Sequence, residues 1–184
     1  MDMLILVNKD DEEVGCKEKE SCHLIPVALH RAFSIFIVNT KGQMLIHKRQ
    51  STKKTWPGFW TNACCSHPRK GEDLQEATKR RLQEELGVIC DVKPLFKFHY
   101  RADYDTKYGE HEVDHVFLGI YDGDVKPNND EIQEHRFMAI DELMEDVRLR
   151  GGEYTPWFKL ALPGVREYVE ELMAAPVKKG DKSR

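Results

Sequence analysis

The sequence predicts an α+β fold, an α/β/α sandwich in which a mixed β-sheet is flanked by helices. Short strand-like segments alternate with segments whose apolar residues recur at helical spacing, and the chain contains no internal repeat. A chain of 184 residues is long enough for one domain to bury most of its apolar surface. We expect a single domain over residues 1–175 and a polar tail without fixed structure over residues 176–184.

The N-terminal half begins with strand-like segments. Met3–Val7 and Phe33–Val38 are apolar runs of strand length. Asn39–Gly42 has the composition of a turn, so Phe33–Val38 should form a hairpin with a return strand over Gln43–His47. Proline and glycine then interrupt regular structure within Lys53–Trp60. The aromatic residues of that segment fit either a cavity wall or the core.

A helix is predicted to begin at Asp73 and to end at Gly87. Asp73 can cap its first turn, Glu76 supplies the carboxylate of a capping box, and Gly87 can adopt the left-handed conformation that ends a helix. Arg81 and Glu85 lie one turn apart on the same face. The apolar stripe of this helix consists of Leu74, Ala77, Leu82 and Leu86.

The C-terminal half continues the mixture of elements. Alternation predicts strands over Leu95–Arg101 and Glu112–Tyr121, then a shorter strand over Phe137–Ile140 and a short helix from Asp141. A final amphipathic helix is indicated by one apolar stripe. Its members are Val165, Tyr168, Val169, Leu172 and Met173.

Charge and cysteine content exclude several classes of protein. A net charge of −4 argues against a nucleic-acid-binding protein, and the longest apolar runs are too short to span a membrane. The cysteine count of five is odd and we expect no signal peptide, which together favour a reducing cytoplasm. Basic residues are nevertheless concentrated in one part of the chain, as expected for a compact anionic ligand. They are Lys48, Arg49, Lys53, Lys54, Arg69, Lys70, Arg80 and Arg81.

Two carboxylates and three histidines form a candidate metal site. Glu110 and Glu112 project from the same side of a strand. With His23, His30 and His67 they would form a set of three nitrogen and two oxygen ligands, which suits Mn²⁺, Mg²⁺ or Zn²⁺. The alternative is that the carboxylates form the solvated face of a strand and that His23 and His30 lie on the surface.

Cys65 is a second candidate for chemistry. A thiol two residues from His67 can act as a nucleophile, a zinc ligand or an acid/base group. The alternative is an inert, buried cysteine beside Cys64. A disulfide between these adjacent cysteines would need unusual geometry, and a reducing compartment opposes it.

The helix ending at Gly87 resembles the magnesium-binding helix of the Nudix superfamily, whose motif is G-x5-E-x7-R-E-U-x-E-E-x-G-U. Glu72, Arg80, Glu84, Glu85 and Gly87 fall on motif positions. Ser66 replaces the first glycine and Arg81 replaces a metal-binding glutamate. An arginine there suits direct pairing with phosphate oxygens, so ordinary pyrophosphate hydrolysis is not expected.

With these departures the chain resembles type I isopentenyl diphosphate isomerase, a non-hydrolytic enzyme with the Nudix fold. The resemblance rests on segments between residues 22 and 158. They are Cys22–Leu24, Leu29–Ser34, Trp56–Gly58, Thr61–Pro68, Tyr100–Ala102, Gly109–Glu112 and Thr155–Phe158.

The resemblance implies conversion of isopentenyl diphosphate to dimethylallyl diphosphate through a tertiary carbocation, by a cytoplasmic monomer that needs no flavin. The resemblance implies that a catalytic metal is bound by His23, His30, His67, Glu110 and Glu112, and that Glu85 binds a second Mg²⁺. It implies that Cys65 and Glu112 transfer protons, with Tyr100 supporting Glu112. It also implies that Arg49, Lys53 and Arg81 contact the diphosphate and that Trp157 lies over the isoprenoid.

Two alternatives remain open from the sequence. One is a Nudix pyrophosphohydrolase, which Arg81 argues against. The other is a non-catalytic metal or thiol module built on Cys22, His23, Cys65 and His67. A closed, sulfur-rich site would support the module, whereas histidine and glutamate ligands without Cys65 would argue against it.

Overall fold

The computed structural model describes residues 2–174, so the tail predicted over residues 176–184 lies outside the described chain. Within the described range, no helix is long and apolar enough to cross a membrane. In chain order the elements are β1 (Met3–Val7), β2 (Glu13–Glu18), α1 (Lys19–His23), β3 (His30–Val38), β4 (Gln43–Arg49), β5 (Trp60–Thr61), β6 (Cys64–Ser66), α2 (Leu74–Leu86), β7 (Val92–Asp103), β8 (Gly109–Ile120), β9 (Ile132–Ala139), α3 (Ile140–Arg150), a 3₁₀ turn (Gly151–Glu153) and α4 (Pro156–Ala174).

The sheet is built around β3, which is buried along almost its whole length. β3 runs parallel to β8, with His30 opposite Glu112. It is antiparallel to β6, with Ser34 opposite Cys65. β7 pairs antiparallel with β8, and β9 with β4. The mixed sheet predicted from the sequence is therefore confirmed.

Helices cover both faces of this sheet because successive side chains of β3 point to opposite sides. Phe33 and Ile35 belong to an apolar cluster that includes Leu82 of α2. Phe36 belongs to a second cluster that includes Trp157 of α4. This arrangement confirms the predicted α/β/α sandwich, and it places α2 and α4 on opposite sides of β3.

The predicted ends of α2 are confirmed. The Asp73 side chain accepts hydrogen bonds from the backbone amides of Gln75 and Glu76. Gly87 ends the helix with a φ of 61°, a left-handed conformation that glycine adopts at little cost. The Glu76 carboxylate accepts from Lys79 Nζ at 3.0 Å, so its side chain is engaged within the helix rather than at the cap.

Other boundaries differ from the prediction. β9 begins at Ile132, before the expected Phe137. α4 begins at Pro156, and the residues it buries include Trp157, Val165 and Val169. The predicted stripe is therefore only partly correct, because its outer members Tyr168, Leu172 and Met173 are 39–41% exposed.

Short elements account for the rest. α1, β5 and β6 contain too few residues for a periodic pattern, and β2 has a mostly polar sequence without an apolar run, so the sequence predicts none of the four. Within Lys53–Trp60, Trp56 and Trp60 are buried in the apolar cluster that includes Trp157 of α4. These two residues are therefore part of the core and do not form a cavity wall.

Candidate active site

A cavity of about 480 Å³ collects nearly all of the residues to which the sequence analysis gave a role. Among the residues with a role implied by the family resemblance, His30 alone does not line the cavity; it is fully buried and contacts His67 and Glu112. The residues with predicted roles that line the cavity are His23, Arg49, Lys53, Cys65, His67, Arg81, Glu85, Tyr100, Glu110, Glu112 and Trp157.

The predicted metal ligands lie together at one part of the cavity. His23 ends α1, His30 begins β3, His67 follows β6, and both glutamates lie on β8. Each of the five residues offers a ligand atom within 4.8 Å of all the others. Glu110 and Glu112 are both 6% exposed, so the alternative of a solvated strand face is wrong.

Backbone contacts fix the orientation of two of the histidines. His23 Nδ1 lies 2.6 Å from the Lys19 carbonyl and His30 Nδ1 lies 2.8 Å from the Ala28 carbonyl, so each Nδ1–H donates. Their Nε2 atoms then carry lone pairs in the neutral ring. His30 Nε2 faces His67 Nε2 at 3.1 Å and Glu112 Oε1 at 3.3 Å. Nitrogen lone pairs and carboxylates that converge in a buried space fit a divalent cation.

The titration behaviour of this cluster also fits a cation site. Burial lowers the pKa of His67 to about 3, so its ring is neutral. Burial would raise the pKa of Glu112, but its contacts with the imidazoles of His30 and His67 outweigh burial and hold the pKa well below its usual range. Burial would likewise lower the pKa of His23, but the Glu110 carboxylate raises it to about 9. A proton is therefore held at His23 when no cation is present.

Tyr100 supports Glu112 directly. β7 and β8 place these two residues opposite each other, and Tyr100 Oη donates to Glu112 Oε2 at 2.6 Å. Burial and the charge of Glu112 raise the pKa of Tyr100 well above its usual value, so the hydroxyl stays protonated. This contact is the one that the sequence resemblance implied.

The adjacent cysteines of β6 face opposite sides of the sheet. Cys64 is fully buried in the cluster on the α2 side, whereas Cys65 borders the cavity. Trp157 Nε1 donates to Cys65 Sγ at 2.9 Å. Burial, together with the charge of Asp114, raises the pKa of Cys65 to about 12, so the group is a thiol at neutral pH. The metal cluster contains His and Glu side chains without Cys65, which argues against the metal or thiol module.

Basic residues also line the cavity. Arg81 donates to Glu84 at 2.6 Å and pairs with Glu85, while Lys53 pairs with Glu131. Burial would lower the pKa of Arg81, but the charge of Glu85 raises it. These cations face the same space as the histidine and glutamate cluster, so an anionic group could bind close to that cluster.

Arg49 has a second role that the sequence did not indicate. Its guanidinium donates to the carbonyls of Thr55 at 2.9 Å and Trp56 at 3.1 Å. The same guanidinium lies 5.3 Å from the centre of the Trp157 ring. Arg49 therefore fixes the segment after β4 against Trp157, and a positive charge already lies over that ring.

Sequence reasoning missed several residues of the cavity. Lys19 lines it, and burial lowers the pKa of this lysine. The sequence signal that could have identified Lys19 is its spacing from His23: residues four apart lie on the same face of a helix, so a helical turn here places both side chains together. Ser34 also lines the cavity and donates to the buried Asp114 at 2.7 Å, a contact that depends on the pairing of β3 with β8.

Comparisons with known proteins identify the family and agree with the fold. Residues 28–158 match the model of the NUDIX domain. The chain is 40% identical over 161 residues to isopentenyl-diphosphate Delta-isomerase 1 of Photorhabdus laumondii, covering 86% of this chain and 92% of that protein. It is 35% identical over 165 residues to the isopentenyl-diphosphate Delta-isomerase of Pectobacterium atrosepticum, covering 90% and 92%. A crystal structure from Deinococcus radiodurans shares the fold, with a TM-score of 0.67 at 22% identity over 92% of this chain and 98% of that one.

Proposed function

The chain belongs to the isopentenyl-diphosphate Delta-isomerase family of Nudix-domain proteins, and we propose that its cavity converts isopentenyl diphosphate to dimethylallyl diphosphate in isoprenoid biosynthesis. One observation supports the assignment of the site more than any other. The buried histidine and glutamate cluster shares the cavity with the Cys65 thiol, and Glu112 belongs both to the cluster and to the pair expected to move protons.

The reaction moves a double bond by relocating a proton. Protonation of the terminal methylene of isopentenyl diphosphate leaves a tertiary carbocation, and loss of a proton from the carbon nearer the diphosphate forms the new double bond. The proton enters at one carbon and leaves from another, so two positioned groups can divide the two transfers. Cys65 on β6 and Glu112 on β8 both reach the cavity and fit these roles.

The two groups begin in complementary states. The raised pKa of Cys65 keeps the thiol protonated, while the lowered pKa of Glu112 keeps the carboxylate charged. The pair therefore offers one proton and one acceptor, which is what a proton relocation needs. Environments that push two pKa values apart are a recognised basis for acid and base roles.

The metal ligands proposed are His23, His30, His67, Glu110 and Glu112, with Mg²⁺ or Mn²⁺ as the ion and Zn²⁺ as a further candidate. A bound divalent cation would supply a positive charge that polarises the carboxyl group of Glu112. The chain's own contribution is to fix the ligands. Carbonyls of Lys19 and Ala28 hold two of the imidazoles, and Tyr100 holds Glu112.

Substrate diphosphate would exchange partners with the basic residues. Arg81 and Lys53 are paired with Glu85 and Glu131 in the structure, and phosphate oxygens are stronger acceptors for them because they carry more charge. Transfer of Arg81 to phosphate would release the Glu85 carboxylate. Glu85 could then hold the second Mg²⁺ that accompanies the diphosphate.

Deuterium incorporation tests this proposal. Purified protein with Mg²⁺ and isopentenyl diphosphate in deuterated water should yield deuterated dimethylallyl diphosphate, because thiol and carboxyl protons exchange with solvent. Cys65→Ala should form no product, whereas Cys64→Ser should retain turnover because Cys64 faces the α2 side. Unlabelled product, or turnover in Cys65→Ala, would contradict the assignment.

We also propose a single-domain monomer in a reducing cytoplasm. All five cysteines are free, which fits that compartment. Light scattering of the purified protein tests the monomer, since a dimer mass would contradict it.

A further inference from the structure

The side-chain amide of Asn62 is held in one orientation. Asn62 lies between β5 and β6 and is fully buried. Its Nδ2 donates to the Ile35 carbonyl at 3.0 Å and to the Cys64 carbonyl at 2.9 Å. A carbonyl oxygen can only accept, so the amide nitrogen must face these two groups. The opposite atom, Oδ1, is thereby fixed as an acceptor.

That acceptor is directed at the thiol of Cys65. Cys65 Sγ lies 2.9 Å from Asn62 Oδ1 and donates to it. Ser34 lies farther away, at 3.7 Å, and its hydroxyl proton is engaged by Asp114 at 2.7 Å. Among the described residues, Asn62 therefore provides the nearest acceptor for the S–H group.

The sulfur thus has an acceptor and a donor at the same distance. Asn62 Oδ1 binds the S–H of the thiol, and Trp157 Nε1–H, also at 2.9 Å, can donate to the sulfur after the proton has left. The contact with Asn62 therefore holds the sulfur while it carries its proton, and the contact with Trp157 holds it as a thiolate. Catalysis of two successive proton transfers needs this constancy, because rate depends steeply on the placement of the reacting groups.

We propose that Asn62 is a positioning residue for Cys65, which holds the thiol through Oδ1 while the sulfur carries its proton. The inference rests on the proposed role of Cys65 in proton transfer. Asn62 is not among the residues that line the cavity, so it would act on the reaction only through Cys65. Its loss should therefore lower kcat and leave the KM for isopentenyl diphosphate nearly unchanged.

Two substitutions separate this role from a structural one. Asn62→Leu and Asn62→Asp both remove the Nδ2 donors to Ile35 and Cys64, but only Asn62→Asp keeps an oxygen acceptor toward Cys65. Asn62→Leu should lower kcat at least tenfold with KM within threefold, and Asn62→Asp should retain clearly more turnover. Equal losses in the two variants would overturn the proposal, since a purely structural role predicts them.

Thr155→Val controls for damage to the surrounding network. Thr155 is fully buried and its hydroxyl lies 2.9 Å from Thr61 Oγ1, which in turn donates to Asn62 Oδ1. This variant loses a buried hydrogen bond without removing the acceptor for the thiol. Its kcat should stay within twofold of the wild type, and a tenfold loss would overturn the specific role of Asn62.

Infrared spectroscopy tests the contact in the unmodified protein. A hydrogen-bonded S–H vibrates at lower frequency than a free one. The band that disappears in Cys65→Ala should therefore lie below those of the other cysteines and should rise in Asn62→Leu. A Cys65 band at the frequency of a free thiol would overturn the inference, even if the Asn62 variants did not fold.

The same variants distinguish failure of this inference from failure of the proposed function. Turnover in Cys65→Ala would overturn both. An inactive Cys65→Ala together with wild-type kcat in Asn62→Leu would overturn only the positioning role of Asn62.

Discussion

Replacing Tyr100 with phenylalanine removes one hydrogen bond from the proposed catalytic carboxylate. The ring should keep its place, because it packs 5.6 Å from Phe98 and 6.4 Å from Trp157 between ring centres. The hydroxyl that donates to Glu112 Oε2 at 2.6 Å is lost. The change therefore tests a single contact.

The size of the effect follows from the charge and burial of that contact. A hydrogen bond to a charged group contributes about 1.5–3 kcal/mol, and leaving a buried acceptor unpaired has a similar cost. At about 1.4 kcal/mol for each tenfold change in rate, kcat should fall about 10- to 150-fold. The assay is steady-state turnover of isopentenyl diphosphate at saturating Mg²⁺ or Mn²⁺, because Glu112 is also a proposed metal ligand.

Tyr154→Phe is the matched control. Tyr154 is as deeply buried, and its hydroxyl also donates to a carboxylate, that of Asp146, but it does not line the cavity. Both variants should lose thermal stability, while kcat of Tyr154→Phe should stay within twofold of the wild type. A kcat for Tyr100→Phe within threefold of the wild type would refute the supporting role of Tyr100.

Two further predictions concern the metal and the diphosphate. A chelator should abolish turnover and Mg²⁺ or Mn²⁺ should restore it, with metal affinity by calorimetry falling as pH drops below about 9, because His23 must lose the proton that Glu110 stabilises. Full activity without metal, or affinity that does not change with pH across the neutral range, would contradict the cluster. Arg81→Glu should raise the KM for isopentenyl diphosphate at least about tenfold, since a charge-assisted contact worth about 1.5–3 kcal/mol becomes a repulsion. Lys79→Glu changes the charge of an exposed residue on the same helix and should leave KM nearly unchanged, whereas equal effects would show that only net charge matters.

Local patterns predicted the parts of the fold that depend on neighbours in sequence. Alternation places Glu110 and Glu112 on one side of β8, and both are buried there. Asp73 and Gly87 mark the ends of α2 by hydrogen bonding and backbone conformation that each residue type favours. These features depend on contacts within a few residues, which is why periodicity and capping rules find them.

Contacts between strands that are distant in sequence could not be predicted from local patterns. β6 has three residues, and its pairing with β3 decides that Cys65 rather than Cys64 faces the cavity. The orientation of Asn62 depends on a carbonyl of β3 that no local pattern identifies. The sequence offered the five metal ligands as one candidate set, but spacing alone left a solvated strand face open as an alternative, and the family resemblance was needed to choose between them.

The ion pairs made by the carboxylates of α2, the helix that matches the Nudix motif, indicate that this helix binds substrate and does not catalyse hydrolysis. Nudix hydrolysis uses carboxylates of this helix to hold the metals that activate water. Here Arg80 donates to Glu72 at 2.6 Å, and Arg81 pairs with Glu84 and Glu85. Each of those carboxylates is thus paired with an arginine, whereas the buried cluster of candidate ligands is made of other residues and includes Glu110 and Glu112 of β8. Since Arg81 faces the cavity, the helix can anchor a diphosphate while the proposed proton transfer takes place beside β8.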